Sequence, residues 1–249
     1  MRLWRYWAQA GQAASGMART LRDHGIIYLC RRIIRKIWLA CAYWALFVCG
    51  SAFRRGRAFG FQGERRLCFY RRDTWYNERA IEIPIILKLM EGHEQGKTLE
   101  VGNVLSRYFQ REHDVLDKYE RAPGVINEDA ATYSPGKQYD LIVSISTLEH
   151  VGCDETPKEP MKPLVAIQNL RGMLTAGGVI VATWALGWNE SLDRLLRERK
   201  LPISGQHFFK RISFFDWTEI GFERLCAEKV EYNRPYFDGN YLAVVMIGK

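Results

Sequence analysis

The residues able to do chemistry gather at the ends of apolar runs. Thr98-Leu-Glu-Val closes on Gly102, with Glu100 two places before the glycine. Asp117 ends the apolar part of HDVLDKYE, Asp129 stands in NEDAATY, and YDLIVSISTLEHVG carries Ser144, Ser146, Glu149 and His150. A glycine lets a ligand approach the main chain, and carboxylates accept hydrogen bonds from hydroxyl and amino groups. Imidazole chemistry suits proton transfer at neutral pH, which makes His150 a candidate for it. A dinucleotide loop would want two further glycines after Gly102, but those places hold Val104 and Ser106.

Such residues need a scaffold that brings strand ends together. Strand patterns occupy 98–101, 114–119, 125–127, 139–144, 178–184, 226–232 and 241–247. Helical patterns occupy 77–90, with Pro84 near the first turn, and roughly 104–111, 161–174, 189–199 and 214–224. Asp216 and Glu219 have capping-box spacing at the start of the last helix. The alternation predicts an α/β chain with a doubly wound, mostly parallel sheet. In such sheets a ligand sits beyond the carboxyl ends of the strands, at the switch point. One connection strains the scheme: the few residues between Asp117 and Val125 are too short for the usual crossover helix.

The chain has 249 residues, enough for one α/β domain with an appendage. Hydrophobic content of 47% and charged content of 26% exclude a disordered chain. Residues 1–72 hold 15 Lys/Arg against Asp23 and Glu64, a net of +13, so a total of +8 leaves −5 for the remainder. The expected organisation is therefore a basic extension, 1–72, on a body, 73–249. From Ile26 to Trp38 apolar residues recur at helical spacing opposite Arg31, Arg32, Arg35 and Lys36; from Ile37 to Cys49 only the Tyr43 hydroxyl interrupts the apolar run. That run falls short of the roughly 20 residues that span a bilayer. Residues 26–57 fit either a basic helix lying in an anionic membrane surface or a segment packed on the body. Trp4, Trp7, Trp38 and Trp44 suit the membrane reading. A nucleic-acid tail would not need so long an apolar run. The six cysteines (Cys30, Cys41, Cys49, Cys68, Cys153, Cys226) form no CxxC pair and no metal spacing, which fits a reducing, cytoplasmic setting, with the arm on the inner membrane face.

In this order the motifs resemble those of class I S-adenosylmethionine-dependent methyltransferases, over roughly 75–249. TLEVG resembles their first motif, HDVLDKYE the second strand, NEDAATY the segment near adenine, and YDLIVSISTLEHVG the fourth strand and its loop. NLRGMLTAGGVIVATW resembles the helix, turn and fifth strand that follow, and YNRPYFDGNYLAVVMIGK the closing antiparallel hairpin. The resemblance implies a seven-stranded Rossmann-like sheet and S-adenosyl-L-methionine as cofactor. It places Glu100 near the methionine amino group, Gly102 at the close approach with Asn103 in a left-handed turn, Asp117 on the ribose hydroxyls and Asp129 at adenine. Ser144 and Ser146 fall in the cofactor-side loop.

The implied chemistry is methyl transfer, expected at an oxygen of a small or glycan-type acceptor near a membrane. His150 is the candidate base, with Glu149 supporting it; a contact to the cofactor or a brace for the backbone are the other readings of His150. No metal site is claimed for the Glu149–His150 pair. Arg79 and Glu82 either close the cofactor pocket or form a surface salt bridge. Trp184, Trp188 and Asn189 offer an acceptor platform or core packing, and 207–211 a possible acceptor-side loop. A non-catalytic relative of the fold acting as a membrane or scaffold partner, and an RNA methyltransferase using the arm, are the alternatives.

Overall fold

The computed structural model describes residues 56–249, except 72, 94, 95 and 111. The predicted arm helix within 26–49 lies outside the described residues. Among the described residues no helix is long and apolar enough to cross a membrane.

The elements run β1 (Ala58–Phe61), β2 (Glu64–Leu67), α1 (Arg79–Met90), β3 (Thr98–Val101), β4 (Asp114–Leu116), β5 (Val125–Ile126), β6 (Tyr139–Ile145), α2 (Lys162–Gly172), β7 (Leu174–Ala185), α3 (Glu190–Arg197), β8 (Gly205–Arg211), β9 (Trp217–Ile220), α4 (Phe222–Ala227) and β10 (Tyr241–Gly248). Single 3-10 turns cover Leu105–Arg107 and Leu148–His150. Eight strands form one sheet in the order β5-β4-β3-β6-β7-β10-β8-β9, and β1 pairs with β2 as a separate hairpin. The strands β5 to β7 are parallel, and β10 lies antiparallel between β7 and β8. This is the expected Rossmann-like, mostly parallel sheet, with eight strands where seven were expected.

Strand alternation sorts the core onto two faces. Leu141, Val143 and Ile145 of β6, with Val181 of β7, meet Ile83 and Ile86 of α1. Ile142, Ile180, Ala182 and Trp184 point the other way, onto Ala166, Ile167 and Leu170 of α2 and Leu192 of α3. Pro84 sits inside α1 without breaking it. A proline cannot donate to the carbonyl four residues earlier; the carbonyl of Ala80 instead accepts the Phe69 N–H at 2.8 Å. Phe59 and Phe61 of β1 pack with Ile81, Ile85, Phe209, Trp217, Leu242 and Val244. The β1–β2 hairpin therefore packs as part of the described body.

Four expectations are corrected. The helix predicted over 104–111 is only the 105–107 turn; the Glu100 carboxylate accepts the Val104 and Leu105 N–H groups at its start, both at 2.7 Å. The helix predicted over 214–224 is replaced by β9 and then α4, which also occupies the start of the strand predicted over 226–232. Asp216 is no helix cap: it pairs with Arg57, and its Oδ2 accepts the Ser213 hydroxyl at 2.6 Å. Residues 207–211 are a strand, not an acceptor-side loop, with Phe208 and Phe209 buried. The short β4–β5 connection does lack a helix. Asn127 holds it, its Nδ2 donating to the carbonyls of Asp117 (2.9 Å) and Glu120 (2.7 Å).

Candidate active site

The carboxyl ends of β3, β6 and β7, the start of β10 and the first turn of α1 converge on one edge of the sheet. The α1 turn brings Glu78, Arg79 and Glu82 over β6 and β7. Glu82 is fully buried, and its Oε1 accepts the Ser146 hydroxyl at 2.7 Å. Glu149, in the turn after β6, is also buried; its Oε1 takes a long 3.4 Å bond from the Ala185 N–H and its Oε2 has none. The Thr183 hydroxyl is buried within reach of Glu82, and Arg79 Nη1 is buried without a hydrogen-bond partner. Glu78 Oε2 accepts the Gly239 N–H at 2.9 Å.

These acids are close enough to shift one another. Burial pushes Glu82 up to about 7, with Glu78 adding to the rise and Arg79 opposing it. Burial, then the Glu82 charge, holds Glu149 well above the ordinary carboxylate range. Burial would lower Arg79, but Glu82 and Glu78 more than offset that. Asp238 rises to about 6, by burial and then Glu78, and Tyr232 is raised by burial and the same Glu78 charge. Four acids and one guanidinium thus share a recess; no surface salt bridge joins Arg79 to Glu82.

Aromatic rings form its mouth. Trp188 meets Tyr232 edge to face at 4.8 Å between centroids, and His150 lies 5.2 Å from Trp188. His150 is exposed, with its Nδ1 2.7 Å from Asp154 Oδ2. Asn189 caps α3 through Oδ1, while its Nδ2 donates to the carbonyl of Glu149 at 3.0 Å. It therefore fixes the turn that carries Glu149 and His150. Trp184 is no platform: it is buried, and its indole N–H donates to Asp193 at 3.3 Å.

The predicted cofactor residues divide. Gly102 has φ +86, and a Cβ there would fall 2.0 Å from Thr147 Oγ1, so glycine is what lets the loops after β3 and β6 approach. Asn103 does not take the left-handed turn; Gly102 does, and Asn103 Nδ2 donates to Glu120 at 3.0 Å. Asp117 is half-buried; its Oδ1 accepts the Tyr119 and Glu120 N–H groups, both at 2.8 Å. Among the described residues nothing bonds its Oδ2, the atom a ribose diol would need. Glu100 turns inward, fully buried, with His113 Nε2 2.7 Å from its Oε2. Asp129 is held by Lys118 (2.8 Å) and Lys162 (2.9 Å), which bring its pKa down to about 2 against the effect of burial. The Ser144 hydroxyl is buried and unpartnered, and alternation puts it on the sheet face opposite Thr183. Ser146 lies at the edge with φ +41. The close turn at Gly102, the open oxygen of Asp117 and the unpartnered Ser144 fit S-adenosylmethionine; Glu100 and Asp129 are committed to the protein's own groups.

Sequence reasoning missed Glu78, Thr183, Tyr232, Asp238 and Asp154. Glu78 adjoins Arg79, Thr183 adjoins Trp184, and Asp154 lies one helical turn beyond His150, so these three stood near residues already singled out.

No family model matches the chain, and no curated protein matches it. Among solved structures it is similar to the N-methyltransferase NodS from Bradyrhizobium japonicum in complex with S-adenosyl-L-homocysteine, at 15% identity over 65% of this chain and 83% of that one, TM-score 0.38. A possible histamine N-methyltransferase from Thermotoga maritima shares 15% identity over 62% and 83%, TM-score 0.37. An S-adenosylmethionine-dependent methyltransferase from Clostridium acetobutylicum shares 11% over 66% and 89%, TM-score 0.34. These likenesses are loose. The chain's own strand order, with β10 antiparallel between β7 and β8 in an otherwise mostly parallel sheet, defines its fold as Rossmann-like.

Proposed function

We propose that this chain is an S-adenosylmethionine-dependent methyltransferase whose acceptor enters the recess beneath α1. The observation that carries the reading is the left-handed Gly102 turn beside the open Asp117 oxygen, at the sheet's carboxyl edge. When bound, the cofactor supplies an electrophilic methyl carbon on a good leaving group. The protein's part is then alignment and proton removal. Asp117 would hold the ribose hydroxyls, and the Gly102 and Ser146 turns would admit the cofactor to the main chain. Asp154 on Nδ1 fixes the His150 tautomer with Nε2 as the base, and Asn189 steadies the turn beneath it. The sequence leads to the expectation of a hydroxyl acceptor, but the dyad would serve an oxygen or a nitrogen acceptor alike. A membrane-proximal acceptor rests on the basic arm alone.

Calorimetric titration with S-adenosylmethionine and S-adenosylhomocysteine tests the reading. Wild type is expected to bind both, and Asp117→Ala to lose about tenfold in each, the effect of a hydrogen-bonded carboxylate removed from a ligand's hydroxyls. Failure of wild type to bind either would end the methyltransferase reading.

A further inference from the structure

We propose that the recess between α1, β6, β7 and the segment before β10 selects an amine as methyl acceptor, bound as its ammonium against Glu78, Glu82 and Glu149 and the Trp188–Tyr232 rings. The inference rests on the methyltransferase reading and specifies its substrate class.

Three observations point to a cation. First, the buried Glu149 Oε2 has no partner within the chain, and beside it the equally buried Glu82 has only the Ser146 and Thr183 hydroxyls. Acceptors buried in this way cost free energy until a donor reaches them. Second, Glu78, Glu82, Glu149 and Asp238 influence one another's ionisation, with Arg79 the guanidinium among them and Arg211 acting on Asp238. Four carboxyls facing two guanidiniums favour a ligand that brings positive charge and N–H donors together. Third, the mouth presents Trp188, 37% exposed, packed edge to face on Tyr232. Aromatic faces attract ammonium groups and disfavour anions.

The same charge could instead face the sulfonium of the cofactor. Strand order argues for the acceptor. Gly102 and Asp117 end β3 and β4 on one side of β6, whereas the acids reach from the end of β6, where Glu82 holds Ser146, away to Ala185 of β7 and Gly239 before β10. The chemistry balances: the ammonium gives a proton to His150 or a recess carboxylate, the freed nitrogen lone pair bonds the methyl carbon, and the C–S electron pair returns to sulfur, leaving a thioether and a methylated amine.

The test uses the full-length chain saturated with S-adenosylhomocysteine, and three probes of one shape: benzylamine, benzyl alcohol and benzoate. Ligand-observed NMR and calorimetry report binding. Benzylamine is expected to bind at least about tenfold tighter than the alcohol, with benzoate weaker still. Glu82→Gln and Glu149→Gln should each weaken benzylamine about fivefold or more while sparing S-adenosylhomocysteine. Trp188→Ala, at an exposed rim position, should also weaken benzylamine and keeps the test valid if a buried variant does not fold. Equal binding of the alcohol or benzoate, or benzylamine binding unchanged in all three variants, overturns the proposal. So does a Glu82→Gln protein that loses S-adenosylmethionine but not S-adenosylhomocysteine, since the carboxylate would then face the sulfonium. If wild type binds no S-adenosylhomocysteine, the methyltransferase reading fails by itself. The probe series in ligand-free protein then decides separately whether the recess takes an amine.

Discussion

Glu82 carries the cost of the recess. It is buried, accepts one hydrogen bond from Ser146, lies within reach of Arg79, Glu78, Glu149 and Thr183, and is raised to about 7 from an ordinary 4.5. A carboxyl whose folded pKa is raised contributes stability that is fully present below its unfolded value and lost as pH rises through the folded one. Stability should therefore fall between about pH 4.5 and pH 7. Glu82→Gln should flatten that slope and unfold at higher urea at pH 8, by a margin of up to about 3 kcal/mol. A pH–stability curve unchanged by the substitution would show that Glu82 does not titrate in this window. Gly102 gives a second residue-scale prediction. With φ +86 and Thr147 Oγ1 2.0 Å from the place of a Cβ, Gly102→Ala must shift the loop after β6. A loss of about 2 kcal/mol or more is expected in urea denaturation, together with weaker S-adenosylhomocysteine binding. The glycine's importance was legible in TLEVG. What it makes room for was not, because Thr147 lies 45 positions away and meets it only through the β3–β6 pairing.

At the level of elements, hydrophobic pattern succeeded at β3, β6 and β10, three strands of the sheet interior. β3 matches its predicted bounds, and β6 and β10 each run one residue beyond theirs. It failed where side chains divert the main chain. The periodicity of 104–111 is helical, yet the helix stops after a single turn, where Tyr108 and Phe109 pack on Phe69. It failed again at 217–220, where pairing with β8 and burial of Trp217 and Ile220 override a local capping pattern. Glu100 thus belongs to the architecture of the β3 edge. Glu100→Ala would orphan the Val104 and Leu105 N–H groups and strip His113 of its partner. The expected loss is about 3 kcal/mol. Glu100→Gln keeps an acceptor for the two amides, so a clearly smaller loss should follow in the same denaturation series. Equal losses from the two substitutions would assign the effect to the His113 pair instead of the turn.

Across the whole molecule, charge is segregated along the chain. Residues 1–55 hold ten Lys/Arg against Asp23, a net of +9, so the total of +8 leaves −1 for the body, 56–249. The body therefore has little net charge of its own to bring it to an anionic surface. Any such attraction must come from the arm, whose basic residues sit beside an uninterrupted apolar run. Full-length protein is expected to float with vesicles containing phosphatidylserine at low salt and not with purely zwitterionic ones. Raising the salt to roughly 0.5 M should release most of it, because screening shortens the reach of each charge to a few ångströms. Flotation that persists at high salt would assign the attachment to the apolar run. Absence of flotation with the anionic vesicles would remove the membrane from the function and leave the recess beneath α1 to meet an acceptor free in solution.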